Sequence, residues 1–487
     1  MSIPSPIGLP QELKLGEVDF SLPADARSYQ VNVQPSNVSS VVQTGISVIS
    51  AAGGPPTVIP QFSSQTLFFD LPAGASPSTF IDNRFTTISF RANLSVTTAL
   101  SAVATTAYQR SGGYSWIDRM YITAQNGNIV EDVTEYGLVN DLMVATQLNP
   151  ATRDSLAVQY GFLSDPAATV SQGHQWTAIA SGAATNATET YSYSMPLMSS
   201  LVGVTADRFF NIGRTNKLQI AIQTCTELPI SIINSGAMAA GAFTVTLSDF
   251  AIQCQYVDVG PSALAMIDAT LPDKKAYIHG TTYKTSSISM PAVAGSQSLL
   301  AGIRGSSIKS LFARFQDGGA VSTTNSTNGK YDSKNPLLNS INFNVGGQKL
   351  PNNPVNPLLN PSRAFRALQM ASGSFNNAAF QSAMVPAQYC KLSAGGTAQG
   401  ATVGATQAYF WNTGSTNTAL CQFIYGEDLE VVARRGLMSG LNCNSAPVFV
   451  EFNAAAAPTN PQVLYVHALG DVVYIHDTTS GDVQVRL

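Results

Sequence analysis

The four histidines are the side chains in this sequence best suited to hold a metal ion. They are His174, His279, His467 and His476. His467 and His476 lie on adjacent predicted strands and, with Asp477, form the nearest approach to a set of metal ligands. A structural zinc site takes four protein ligands, and the sequence offers no fourth partner. We therefore expect these two histidines to be strand side chains at a sheet edge or an interface.

Acidic residues that could pair as a general acid and base occur in two places. One set is Asp249, Asp258 and Asp268, and the other is Glu427–Asp428 with Glu430. Two carboxylates that face each other across a glycosidic bond can cleave it. Both sets fall where the pattern predicts turns or strand ends, so we expect solvated carboxylates rather than a catalytic pair.

Sequence motifs for nucleotide binding, metalloproteolysis and serine hydrolysis are absent. The sequence contains no G-x-x-x-x-G-K-[ST], H-E-x-x-H or G-x-S-x-G. Arg434–Arg435 is the only arginine doublet, and it is favoured as an ion-pair site between subunits over a nucleic-acid contact. We assign no catalytic, cofactor-binding or metal-binding residue, and we predict no cofactor and no enzymatic activity.

The composition indicates a protein rich in strands and turns that spans more than one domain. A chain of 487 residues exceeds the roughly 250–300 residues that one hydrophobic core supports. Charged residues make up 11% and hydrophobic residues 44%, whereas an ordinary charged fraction is about 25%. The net charge of −4 provides no broad basic surface, so we expect no sequence-specific nucleic-acid binding.

The five cysteines and the N-terminal residues bear on where the protein is made. The cysteines are odd in number and form no C-x-x-C pair, which favours buried free thiols in a reducing compartment. The N-terminus lacks the basic start and apolar core of a signal peptide. No apolar run of about 18 residues occurs, so we predict no transmembrane segment.

A strand–turn–strand pattern followed by a helix start occurs twice. Trp116–Ala124 alternates apolar and polar residues and reaches Asn126-Gly127, which suits a two-residue hairpin turn. Asn339–Val345 alternates in the same way and turns at Gly346-Gly347. Each hairpin precedes an Asn-Pro helix start, at 149–150 and 360–361. The repeat indicates a duplicated domain.

Further strands surround both hairpins, and no helix alternates with them. This order favours an antiparallel sandwich over a parallel sheet. With about eight strands in each half, the fold class is all-β, two tandem jelly-roll barrels with short helices in the loops. The predicted strands are Thr66–Leu71, Phe85–Val96, Thr190–Met195, Lys217–Gln223, Phe243–Val257, Ser287–Met290, Ser307–Phe315, Leu420–Tyr425, Pro447–Phe452, Gln462–Ala468 and Val472–Asp477. We match 287–290 to 66–71, 447–452 to 217–223, and the last two strands to 243–257.

Local signals also predict helix ends and domain bounds. Asp132-Val-Thr-Glu135 has the form of a capping box, and Gly161 is placed to end the helix that starts at 149–150. We predict surface loops at 163–190, 318–335 and 388–408. The predicted domains are an extended N-terminal arm 1–60, a first jelly roll 61–259, a linker 260–275 and a second jelly roll 276–487.

This arrangement resembles the double jelly-roll major capsid proteins of icosahedral double-stranded DNA viruses, of the virophage and polinton-like type. The resemblance covers residues 60–487 and rests on architecture, such as Asn339–Pro351 before Asn360-Pro361 and the Pro447–Phe452 strand before a terminal β-pair. It implies a homotrimer whose six barrels form a pseudo-hexagonal capsomer, located in the virion. It also implies contacts with neighbouring capsomers, with penton and minor capsid proteins, and an arm along the inner shell surface.

The alternative from another class is a two-domain jelly-roll carbohydrate-binding protein, such as a lectin, adhesin or spike. Such a protein presents aromatic side chains on a solvent-exposed face or in a cleft between loops. Candidates for that role are Trp176, Tyr191, Tyr193 and Tyr409–Trp411.

Overall fold

A computed structural model gives the arrangement of most of the chain. The residues it describes are 26–37, 40–44, 64–96, 106–125, 127–148, 155–161, 173–175, 188–206, 208–226, 229–233, 243–317, 331, 333, 335–373, 384, 389, 423–430, 438–458 and 462–486. All strand pairs within these residues are antiparallel, as the sequence predicted.

In the first half of the chain, the described residues form twelve strands. They are β1 Arg27–Val33, β2 Ser40–Thr44, β3 Thr66–Leu71, β4 Thr79–Val96, β5 Thr106–Arg110, β6 Ile117–Ala124, β7 Ile129–Thr134, β8 Gly173–Gln175, β9 Thr188–Pro196, β10 Leu218–Thr224, β11 Ile230–Ile233 and β12 Phe243–Asp258. Eight of them form two facing sheets, ordered β1-β12-β4-β9 and β3-β10-β6-β7. β2 also pairs with β12, and β11-β5-β8 form a separate small sheet.

The second half repeats this order. Its strands are β13 Lys275–Met290, β14 Gly295–Ala301, β15 Ile308–Asp317, β16 Leu338–Val345, β17 Gln348–Val355, β18 Ile424–Asp428, β19 Val448–Ala454, β20 Gln462–Asp477 and β21 Val483–Arg486. The sheets run β13-β20-β15-β18 and β14-β19-β16-β17, with β21 beside β20. Counting eight barrel strands in each half, both follow the order 1-8-3-6 and 2-7-4-5, which is a jelly roll. The predicted fold class is confirmed.

Alternating side chains explain why these segments form half-buried strands. Along β10, Leu218, Ile220 and Ile222 are buried on one face, and β10 lies between β3 and β6. The two hairpins occupy the same topological place, between barrel strands 4 and 5. Gly127, Gly346 and Gly347 have φ values of 73°, 59° and 92° at these turns, a left-handed conformation that glycine adopts without strain.

Within the described residues, four α-helices lie between the strands. They are α1 Tyr136–Gln147, α2 Ala157–Tyr160, α3 Gly260–Thr270 and α4 Pro361–Ala371. Two predicted helix signals are confirmed: the Asn360 side chain accepts a hydrogen bond from the backbone N–H of Arg363, and Gly161 ends α2 with φ 74°. None of the helices in the described part of the chain is long and apolar enough to cross a membrane.

The predicted capping box at 132–135 is wrong. Residues up to Thr134 belong to β7, and Glu135, with φ 53°, precedes α1 without a side-chain capping bond. Asp132 instead accepts two hydrogen bonds from Arg119 on the neighbouring strand β6, each at 2.8 Å. Strand pairing therefore overrides the local helix signal.

Three other strand predictions need correction. The last two predicted strands are one continuous strand, β20. Residues 287–290 end β13, the first strand of the second barrel, so β14 is the counterpart of 66–71. β8 lies within the predicted loop 163–190 and pairs with β5. In each case long-range pairing, which local pattern does not encode, sets the outcome.

The segment 1–60, predicted as an arm, supplies two of the strands described above. β1 and β2 both pair with β12, at its two ends. The predicted linker contains α3, whose residue Asp268 pairs with Arg214 through two contacts of 2.6 Å.

Candidate assembly surface

The two barrels of one chain are joined by a buried ion pair. The guanidinium of Arg314, on β15 of the second barrel, lies 2.7 Å from the carboxylate of Asp141, on α1 of the first. Their side chains are 1% and 8% exposed. Ser111 donates a hydrogen bond to the same carboxylate at 2.5 Å, and Arg314 donates to the carbonyl of Tyr331. Both charges therefore have partners despite their burial.

A second polar contact lies around Glu131 on β7. Its buried carboxylate accepts hydrogen bonds from the Ser199 hydroxyl at 2.6 Å and from the Ser200 hydroxyl and backbone N–H at 2.7 Å. The Ser200 hydroxyl is 2.6 Å from the hydroxyl of Tyr474 on β20, so the contact crosses between barrels. Burial raises the pKa of Glu131, because the donors offset only part of the desolvation of the charged form.

Apolar packing fills the space beside these polar contacts. Leu138 on α1 packs with Tyr331 and Tyr465 of the second barrel. The hydroxyl of Tyr331 also donates to the carbonyl of Ser115, at 3.2 Å. At Gly280 on β13, an added Cβ would lie 2.5 Å from the carbonyl oxygen of Ser200. The backbones of the two barrels therefore lie in close contact at this point.

An open cleft of about 730 Å³ separates the barrels at one end of this interface. Among its lining residues, the ammonium of Lys309 lies 2.9 Å from Asp471 and 3.2 Å from Glu430. Four large apolar side chains that also line the cleft are 37–41% exposed to solvent. They are Val204, Phe209, Met370 and Met438. The cleft therefore combines neutralised charges with apolar surface.

The structure separates the two histidines that we considered as metal ligands. His467 and His476 lie nine positions apart on the same strand β20, which is about 30 Å along a strand. His467 contacts the Thr285 hydroxyl at 2.9 Å, and His476 contacts that of Thr215 at 3.3 Å. Among the described residues, no three His, Cys, Asp or Glu side chains gather as a metal site. His476 lies at the barrel interface, as the sequence predicted.

Burial keeps both histidines neutral. Desolvation lowers the pKa of His467 to about 3, and the nearby Arg314 adds to this effect. Desolvation also lowers the pKa of His476 to about 4. His279 lines the cleft, and the side chain of His174 lies outside the described residues.

The first set of candidate carboxylates is dispersed over separate contacts. Asp249 pairs with Arg91 at 3.2 Å. Asp258 accepts hydrogen bonds from Ser76 and Ser78, and these donors lower its pKa. Asp268 binds Arg214, as described above. None of the three faces another across a cleft.

The second set of candidate carboxylates lies closer to the cleft, and its side chains make contacts that stabilise the fold. Glu427 contacts the hydroxyl of Tyr425, and Asp428 accepts the backbone N–H of Glu430 at 3.0 Å. Burial raises the pKa of both Glu427 and Asp428. Arg434–Arg435 lies outside the described residues.

Sequence reasoning missed the residues that join the barrels, Asp141, Arg314 and Glu131. The available signal was a charged residue within an apolar stretch. Arg314 stands between Phe312 and Phe315, a setting that requires a partner when the strand is buried. The sequence does not reveal that the partner is a helix in the other barrel.

No protein-family model and no curated protein matches this sequence. Several solved structures match its fold along nearly the whole chain. The structure of the Sputnik virophage by cryo-EM matches with a TM-score of 0.56 and 11% identity, over 98% of this chain and 92% of that one. The mavirus major capsid protein matches with a TM-score of 0.53 and 12% identity, over 100% of this chain and 95% of that one. VP54 of PBCV-1 matches with a TM-score of 0.53 and 9% identity, over 97% of this chain and 99% of that one. These similarities establish a double jelly-roll fold.

We predict that Asp141→Ala destabilises the protein by about 3–5 kcal/mol, because it leaves the Arg314 charge buried without its partner. The matched control is Asp132→Ala in the ion pair with Arg119, where both side chains are 35% exposed. That control is expected to cost less than about 1 kcal/mol. Denaturant unfolding of the two variants measures the difference, and equal losses would contradict the assignment.

We predict that the contribution of His467 and His476 to the free energy of unfolding falls as the pH drops below about 6.5. Unfolded histidine binds a proton near that pH, whereas His467 and His476 resist protonation until about 3 and 4. Their contribution is thus complete above pH 6.5 and is lost on acidification, by about 2 kcal/mol per histidine between pH 7.5 and pH 5. Unfolding of a His467→Gln/His476→Gln variant at both pH values tests this. The variant should lose less stability than the wild type, and an unchanged pH dependence would refute the prediction.

Proposed function

We propose that this chain is the major capsid protein of an icosahedral double-stranded DNA virus. The observation that carries the proposal is similarity to capsid proteins across both barrels together, over 97–100% of the chain. The role is structural and not enzymatic, and its place is the capsid of the virion. The net charge of −4 means that other molecules neutralise most of the enclosed genome.

The fixed side-by-side packing of the barrels supports a specific assembly. The buried contacts of Arg314 and Glu131 hold two similar barrels as one block. Three such blocks joined by heterologous contacts close into a ring, and its six barrels approximate a hexagon. A pseudo-hexagonal capsomer of this kind tiles an icosahedral shell. Its partners are neighbouring capsomers, penton proteins and minor capsid proteins.

The carbohydrate-binding alternative gains no support from the described aromatic residues. Tyr193 is 1% exposed, and its hydroxyl donates to Gln109 at 2.8 Å. Tyr191 packs against Tyr193 with ring centroids 4.9 Å apart. Both rings thus serve the packing of the first barrel. Trp176 and Tyr409–Trp411 lie outside the described residues.

We predict that the purified protein is a homotrimer. Size-exclusion chromatography with light scattering should give a mass near three times 51.3 kDa, or larger shells. Negative-stain images of the same fraction should show particles with a hexagonal outline. A monomer that binds glycans would overturn the proposal and favour the alternative.

A further inference from the structure

Strand β14 of the second barrel has one open edge. It ends the sheet order β14-β19-β16-β17, and within the described residues it pairs only with β19. Its seven residues pair with β19 without a bulge, from Gly295 opposite Ala454 to Ala301 opposite Val448. In the described part of the chain, no hydrogen bond reaches the backbone of β14 from its other side. We call this side of β14 the free edge.

The free edge lacks the residues that keep edge strands from pairing with other chains. Soluble proteins protect such edges with charged residues, proline or bulges. Of the eight strands that end the four barrel sheets, seven contain a charged residue: β1, β3, β7, β9, β13, β17 and β18. The eighth, β14, has the sequence GSQSLLA. Its Ser296 and Ser298 are exposed, and Leu300 is 56% exposed. This composition suits an edge that another strand covers.

The first barrel shows which backbone groups face such an edge. There the matching strand is β3, and its outer edge is occupied. The backbone N–H of Phe68 donates to the side chain of Asn37 at 3.0 Å, and the carbonyl of Phe68 accepts from the backbone N–H of Ser36 at 2.7 Å. Phe68 lies between the buried residues Leu67 and Phe69. On β3, the residues that alternate with the buried ones thus direct their backbone groups to the outer edge.

The same geometry directs the backbone groups of Ser296, Ser298 and Leu300 to the free edge of β14. β14 has the same place in its sheet as β3, and its exposed residues likewise alternate with less exposed ones. In an antiparallel sheet, residues on one face direct their N–H and C=O groups to the same neighbouring strand. The free edge therefore offers the N–H and C=O groups of three residues to a further antiparallel strand.

A second copy of β14 complements this edge. When a two-fold axis passes at Ser298, the middle residue of the strand, Ser298 faces Ser298 of the second copy and Ser296 faces Leu300. All three residues then exchange backbone hydrogen bonds with the residue opposite. Other two-fold positions along the strand pair fewer of these residues. No charges oppose each other, so the strand is compatible with itself.

We propose that β14 pairs with β14 of a second copy of this chain, antiparallel and centred on Ser298. This contact is isologous, because both copies use the same surface, whereas the contact that closes the proposed trimer is heterologous. The β14 contact therefore joins chains of different trimers. The inference does not depend on the capsid proposal, because it rests on the edge chemistry of one strand.

Cysteine cross-linking tests this pairing on the full-length protein. A Ser298→Cys variant is treated with a short bis-maleimide, and the linked peptides are identified by mass spectrometry. A link between two residues 298 forms only between two copies. The matched control is Asn352→Cys, at an exposed position of β17, the other edge strand of the same sheet. We expect the 298–298 link to form at least tenfold faster than the 352–352 link. Equal rates, or links from residue 298 mainly to another segment, would overturn the proposal.

A charge exchange tests whether β14 pairs with itself. Ser298→Lys and Ser298→Glu each place like charges opposite one another, which weakens the pairing. In light scattering, each variant alone should need at least fivefold more protein than the wild type to associate beyond the trimer. An equimolar mixture should restore the wild-type concentration, because lysine then faces glutamate.

A mixture that associates no better than the single variants would show that β14 does not pair with itself. Residue 298 is exposed, so we expect the unfolding transition of both variants to match that of the wild type. The same light-scattering runs report the mass of the smallest particle. If that particle is a monomer, the trimer proposal fails, and the β14 pairing is then tested as formation of dimers.

Discussion

The buried pairing of Arg314 with Asp141 is the interaction on which the relation between the two barrels depends. Removing a guanidinium and a carboxylate from water costs several kcal/mol each unless both find partners. Here each charge has a second partner as well, Tyr331 for the arginine and Ser111 for the aspartate. A barrel shifted by one strand position would break these bonds and leave charges buried. The pair therefore selects one arrangement, whereas apolar contacts alone would tolerate several.

The interface between the two barrels is asymmetric, because each barrel contributes different secondary-structure elements to it. The first barrel supplies α1, most of whose residues are buried. The second supplies the surface of its sheet, through Arg314 on β15 and Tyr474 on β20. Its own helix α4 packs instead on β15 and β18 of the same barrel, where Ala371 accepts a hydrogen bond from Ser310 at 2.7 Å. Two barrels with the same strand order thus present different flanks.

Much of the fold was predictable because its signals are local. Alternation predicted strands such as Lys217–Gln223, which the structure places at 218–224. The turns at Gly127 and Gly346 follow from the positive φ that glycine adopts without strain. The helix start at Asn360 follows from the hydrogen bond that its side chain accepts. The capping box predicted at Asp132–Glu135 is wrong because Asp132 pairs with Arg119 on a neighbouring strand. The barrel interface was not predictable, since Asp141 and Arg314 are far apart in sequence and neither position marks the other.

The two barrels also differ in how far the edges of their sheets are covered. In the first barrel, Asn37 hydrogen-bonds to Thr66 and Phe68 on β3, at 2.7 and 3.0 Å. The outer edge of β3 is therefore covered. In the second barrel the matching strand, β14, pairs only with β19 within the described residues, and Leu300 on it is 56% exposed. Exposed edges invite pairing with other chains. A chain with two unlike flanks can form a three-fold ring in which every contact joins different surfaces.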